Sequence, residues 1–197
     1  MTLVTAFEPF GGAAVNGSLE AARLWAERDP SLVVVELPVT AGLAEERALR
    51  ALDETRPELY LALGEAPPAP WEVRLEGLYV NLDDFRIPDN GGSQRRGVPI
   101  CAGGAAVHYS TVDVRALAEE LGGKTPAPVR ASGDAGRFLC NRLAYTVANR
   151  GDAPRFCFVH LPAWRPGDGP ERLSALVETL ALVKEIALRP PSAECYT

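Results

Sequence analysis

The feature that most constrains this chain is a regular alternation of short apolar runs with longer amphipathic ones. Runs at residues 3–7, 32–38, 59–64, 129–131 and 156–161 are β-branched or aromatic and too short for helices, so they read as strands. The run at 32–38 reads as a buried strand. Helical periodicity fills the gaps, at about 18–28, 41–55, 113–121, a stretch ending near 149, and 171–188. A strand, a helix and a second strand in succession require a crossover connection. The expected fold class is therefore α/β: a three-layer α/β/α open, mostly parallel twisted sheet with helices on both faces. A strand-like pattern at 73–82 sets Val80 and Leu82 on one face and Tyr79 and Asn81 on the other. The stretch 83–109 is irregular and rich in glycine and proline, a length that usually marks a functional loop.

At 197 residues the chain suits one domain, 1–197, with 189–197 expected as a loose tail. Apolar residues are 47% and charged residues 23%, the balance of a globular protein. The net charge of −6 supplies no basic excess for phosphates, so neither nucleic acid nor an anionic membrane is an expected partner. No apolar stretch approaches the roughly 20 residues of a membrane span. The N-terminal residues enter a strand pattern directly, which makes a cytoplasmic location and reduced cysteines the expectation.

Of the four cysteines, Cys157 sits mid-strand among aromatics and reads as packing, Cys195 lies in the tail, and Cys101 falls in a glycine-rich loop. No Cys-x-x-Cys pair occurs and histidines number two, so neither a metal site nor a cofactor is expected. Cys140 follows Ser132-Gly133-Asp134-Ala135-Gly136, a turn and cap leading into a helix. A thiol at a helix N-terminus is favoured as thiolate, and free N–H groups there can hold an oxyanion. Core filler is the competing reading. His160 ends a strand, where open parallel sheets gather their active residues; it is either an acid–base group or a hydrogen-bonded core histidine. His108, in the loop before a helix cap, reads as structural. Glu76, between Leu75 and Gly77, is either a solvated strand carboxylate or a buried partner for an imidazole.

Four segments taken together resemble pyroglutamyl peptidase I, also called pyrrolidone-carboxylate peptidase. They are Phe7-Glu8-Pro9-Phe10-Gly11-Gly12, Arg86-Ile87-Pro88-Asp89-Asn90, Ala135-Gly136 through Cys140-Asn141, and His160-Leu161-Pro162. The resemblance runs from the first strand to the last helix, in order. It implies a cysteine peptidase that hydrolyses the bond after an N-terminal pyroglutamyl (5-oxoprolyl) residue of peptides. It assigns Cys140 as nucleophile, His160 as general acid–base and Glu76 as the group orienting the imidazole. It further implies Phe7 and Phe10 against the lactam ring, Asn16 supporting their loop, Ile87 and Leu139 lining the pocket, and Arg86 near the developing oxyanion. Family members commonly form homotetramers and need no metal.

Three departures from the family pattern stand out. The loop after the third strand, usually Gly-Gln-Ala-Gly-Gly-Arg in bacterial members, reads Gly64-Glu65-Ala66-Pro67-Pro68-Ala69-Pro70. Gly77 replaces an arginine and Gly17 a proline. Glu65, if it pointed inward, would set a carboxylate beside the thiol. These changes raise the alternative of a weak or inactive relative that binds pyroglutamyl ends. A nucleoside phosphorolase with Gly11-Gly12 as phosphate cradle is a further alternative, on thinner grounds.

Overall fold

The computed structural model describes residues 1–66 and 70–189. Pro67, Pro68, Ala69, the Pro190-Pro191 pair and Cys195 lie outside the described residues, as does all of the expected tail except Arg189. Among the described residues the strands are β1 (Thr2–Phe7), β2 (Leu32–Leu37), β3 (Leu59–Glu65), β4 (Val73–Glu76), β5 (Leu78–Val80), β6 (Val107–Tyr109), β7 (Val129–Ser132) and β8 (Arg155–Leu161). The helices are α1 (Gly17–Arg28), α2 (Leu43–Thr55), α3 (Val114–Leu121), α4 (Leu139–Asn149) and α5 (Pro170–Ala187).

Six strands form one sheet in the order β2-β1-β3-β8-β4-β7, and β5 pairs with β6 as a separate antiparallel ribbon. The first four run parallel, whereas β4 is antiparallel to β8 and parallel to β7. The expected mostly parallel α/β sheet is thus present, with two strands reversed at one side. The pattern at 73–82 is two strands in two sheets, divided at Gly77. A Cβ there would stand 2.7 Å from Val114 Cγ2, so the arginine of the family pattern has no room. The run at 32–37 is half-buried rather than buried, because β2 is a sheet edge.

The strand period of two sorts side chains between the layers. In β8, Cys157, Val159 and Leu161 pack with α1, α3 and α5 through Leu19, Trp25, Leu117 and Leu176. Phe156 and Phe158 face the other way, packing with Ala48, Leu143 and Val147 of α2 and α4. His160 is in phase with Phe156 and Phe158, which aims its imidazole toward the α4 layer. Cys157 is out of phase and faces the opposite layer. No helix among the described residues is long and apolar enough to cross a membrane.

Candidate active site

Helix α4 begins at Leu139, so Cys140 lies in its first turn. Its N-cap, Phe138, supplies no side-chain hydrogen bond, and the first-turn N–H groups are left without an intrahelical partner. The turn before it is built by Asp134, whose carboxylate accepts from Gly136 N–H at 3.0 Å and from Arg137 at 2.7 Å. Asn141 fixes the helix start from the other side. Its Oδ1 accepts from Val80 N–H at 2.9 Å, and its Nδ2 donates to the carbonyls of Val80 and Leu82 at 2.9 and 3.2 Å.

Across the β4–β8 pairing, Glu76 is opposite Phe158 and Arg74 is opposite His160. Glu76 and His160 are therefore diagonal neighbours on one face, within reach of long side chains. His160 Nδ1 donates to Glu76 Oε1 at 2.8 Å. Glu76 is wholly buried, and its second oxygen has no hydrogen-bond partner. The Cys140 sulfur lies near enough to the same imidazole to favour its protonated form. With Nδ1 committed to Glu76, Nε2 is the ring nitrogen left for the sulfur. Burial by itself would lower the His160 pKa. The Cys140 sulfur and the Glu76 carboxylate outweigh that penalty and push it up to about 9. Phe158 holds the ring edge-on, with centroids 5.0 Å apart.

Cys157, by contrast, is buried in the far layer, and burial pushes its thiol up to about 12. It is packing, as expected. His108 belongs to β6, where its Nε2 lies 2.9 Å from Asn149 Oδ1 and its ring rests on Tyr145, a structural role.

Beside Cys140 lies a recess of about 240 Å³ including its mouth, lined by Phe7, Phe10, Asn16, Val39, Glu65, Phe138, Leu139 and Cys140. Of the pocket residues that the resemblance implies, Phe7, Phe10, Asn16 and Leu139 are among those lining this recess. Asn16 caps α1 by accepting from Ser18 N–H at 3.0 Å, and its Nδ2 donates to the Glu8 carbonyl at 3.2 Å. Arg86 and Ile87 are not among the lining residues. Arg86 is exposed, and Ile87 lies by the Gly11 turn, its Cδ1 3.5 Å from where a Gly11 Cβ would be. The carboxylates nearest Arg86 in sequence have other partners, Asp83 in Arg95 and Arg142, Asp84 in Arg96, and Asp89 in the N–H groups of Ala41 and Ser93.

Val39, Phe138 and Tyr79 escaped the sequence reading. Phe138 was detectable, as an aromatic two residues before the nucleophile candidate. Tyr79 was not: its hydroxyl donates to the Glu76 carbonyl at 3.0 Å and accepts from Phe158 N–H at 3.1 Å, a bridge only the fold creates. The feared carboxylate beside the thiol is present but paired. Glu65 lines the recess and takes a two-pronged bond from Arg165, each prong 2.7 Å.

A sequence profile of pyroglutamyl peptidases matches residues 1–169. The chain belongs to the pyroglutamyl peptidase family. Among similar family members, the pyrrolidone-carboxylate peptidase of Chromobacterium violaceum is 36% identical over 195 residues, covering 94% of this chain and 91% of that protein. The Vibrio vulnificus pyrrolidone-carboxylate peptidase is 38% identical over 178 residues, covering 88% and 81%. Pyroglutamyl peptidase I of Bacillus amyloliquefaciens superposes with a TM-score of 0.84 at 28% identity, over 95% of this chain and 96% of that one. The pyrrolidone carboxyl peptidase of Thermococcus litoralis gives 0.83 at 27%, over 95% and 92%. The pyroglutamyl peptidase fold thus spans this chain, and membership weighs against phosphorolysis, for which the Gly11-Gly12 turn was the sole support.

Proposed function

We propose that this chain is a cysteine exopeptidase that hydrolyses the bond after an N-terminal pyroglutamyl residue of peptides. The observation that carries this reading is one imidazole hydrogen-bonded to a buried carboxylate and neighboured by a thiol, beside a small apolar recess. Pyroglutamate is a flat, neutral lactam without a free ammonium. A recess walled by the apolar side chains of Phe7, Phe10 and Leu139, with a few polar groups among them, suits it.

In this reading Cys140 is the nucleophile, His160 the general acid–base and Glu76 the orienting group. The thiolate forms a C–S bond to the pyroglutamyl carbonyl carbon, and the carbonyl electrons move to oxygen near the free N–H groups of α4. Collapse breaks the C–N bond, and the His160 imidazolium gives its proton to the leaving amine. Water then adds to the thioester as His160 takes its proton. The C–S bond breaks, and free pyroglutamate leaves with the thiolate restored. A raised His160 pKa supports an imidazolium ready at neutral pH. Asn16 supports the Phe7–Phe10 loop, and we place Arg86 and Ile87 at the rim, Arg86 toward the developing oxyanion. By resemblance to the family we also propose a homotetramer in the cytoplasm, acting without metal or cofactor.

Release of chromophore from pyroglutamyl p-nitroanilide tests the reading. Cys140→Ala is expected to lower turnover by about a thousandfold or more, and Cys157→Ala to leave it within about threefold. Turnover that survives Cys140→Ala and disappears with Cys157→Ala would overturn it.

A further inference from the structure

Two of the family-pattern departures, Glu65 and Gly17, meet at the recess wall. Gly17 N–H donates to Glu65 Oε2 at 2.7 Å. Arg165 grips the same carboxylate, Nη1 to Oε2 and Nη2 to Oε1, each at 2.7 Å. A Cβ on Gly17 would stand 2.9 Å from Trp164 N and 3.1 Å from Glu65 Oε2, so position 17 must combine a free N–H with no side chain. Arg165 is itself held in place. Its Nη1 donates to the Trp164 carbonyl at 2.7 Å, and its backbone N–H to Asp168 Oδ2 at 2.7 Å. The Glu65 side chain is 8% exposed and that of Arg165 44%, so the carboxylate faces the recess while its counter-charge reaches solvent.

We infer that Arg165 sets the ring selectivity of the recess by neutralising Glu65, so that a neutral lactam is accepted and a cationic N-terminal prolyl ring is refused. The inference rests on the recess being the pyroglutamyl site proposed above. Pyroglutamyl and prolyl rings have the same five-membered frame. They differ in the ring carbonyl and in charge, because the prolyl nitrogen is a secondary ammonium near neutrality whereas the lactam nitrogen is an uncharged amide. An ionised carboxylate offers about four lone-pair sites. Three are taken here, two by Arg165 and one by Gly17, which leaves one on Oε1 as an acceptor for a ring N–H. An unpaired carboxylate in that wall would attract the ammonium and lose the lactam's advantage. Paired with a guanidinium, the same oxygen remains an acceptor without net charge. Arg165 thus acts through Glu65 as a positioning and selectivity residue.

The test is the ratio of kcat/KM on prolyl- and pyroglutamyl-aminomethylcoumarin for the full chain. Arg165→Met is expected to raise the prolyl-to-pyroglutamyl ratio by about tenfold. Arg165→Lys, which keeps the charge, should stay near the parent ratio, and adding Glu65→Gln to Arg165→Met should return it there. Arg165→Gln serves as a second neutral variant if the methionine form does not fold. A ratio within about twofold of the parent in the neutral variants, prolyl turnover by none of them, or an equal rise in the double variant overturns the inference. Parent turnover of the pyroglutamyl substrate that depends on Cys140 separates that outcome from failure of the functional reading, with which this inference would also fall.

Discussion

A Cβ placed on Gly64 would stand 3.0 Å from the sulfur of Cys140 and 2.8 Å from the ring of Phe158. Strand β3 therefore abuts the proposed nucleophile with a bare backbone, and the absent side chain is what lets the first turn of α4 approach the sheet. Gly64→Ala is expected to displace the sulfur from His160 and lower kcat by about a hundredfold, the cost of a misplacement near 1 Å. Steady-state kinetics beside a melting curve would check this, since a folded variant with parent kcat contradicts the argument.

The His160 pKa of about 9, against an ordinary 6.5, carries a direction in pH. The imidazolium is present below about 9, so turnover in the chemistry-limited regime should fall as pH rises past that value. Stability follows the same group. A raised folded-state pKa contributes stability that is fully present below 6.5 and is lost as pH rises through 9. Glu76→Gln removes one of the groups holding the proton and should move the alkaline limb to lower pH. Rate profiles of parent and variant between pH 6 and 10 would read this, and an unmoved limb would refute it.

Tyr79 ties the backbone of Glu76 to that of Phe158 through one hydroxyl. Tyr79→Phe leaves a buried carbonyl and a buried N–H short of that partner and is expected to destabilise by about 1–3 kcal/mol. Chemical denaturation gives the value directly.

Asp83 is wholly buried, gripped by Arg95 and by Arg142, and Arg142 also pairs with Glu45 of α2. This network anchors the segment that leads through Phe85 to Arg86 and Ile87. Asp83→Asn strips the partly buried Arg142 guanidinium of one of its two counter-charges and should destabilise by about 1–3 kcal/mol. The denaturation midpoint would show it, and a loss under 1 kcal/mol would mean the charges are not coupled as the geometry implies.

The layers of the fold were legible in the sequence because strand periodicity is a local record, whereas the Cys140–His160–Glu76 set was suggested there only by the resemblance of four segments taken together. Cys157 was readable as packing from a local record too, its aromatic neighbours marking a buried strand. The reversal of β4 was not legible, since strand direction leaves no trace in composition. Nor was the break at Gly77, because the residues on either side share one alternating pattern while pairing with different partners. The Glu45–Arg142–Asp83 chain joins three distant segments, and charged residues in a sequence carry no sign of which will be buried together. Glu65 looked like a threat to the thiol because its partner lies 100 residues away.

The reversed pairing of β4 against β8 makes turnover a gauge of correct assembly. A slip of one residue between these strands would turn the Glu76 side chain to the opposite surface of the sheet and strand His160 without its carboxylate. Activity regained after dilution from denaturant therefore counts molecules in which these strands have found their native alignment, a distinction that circular dichroism of the backbone would miss.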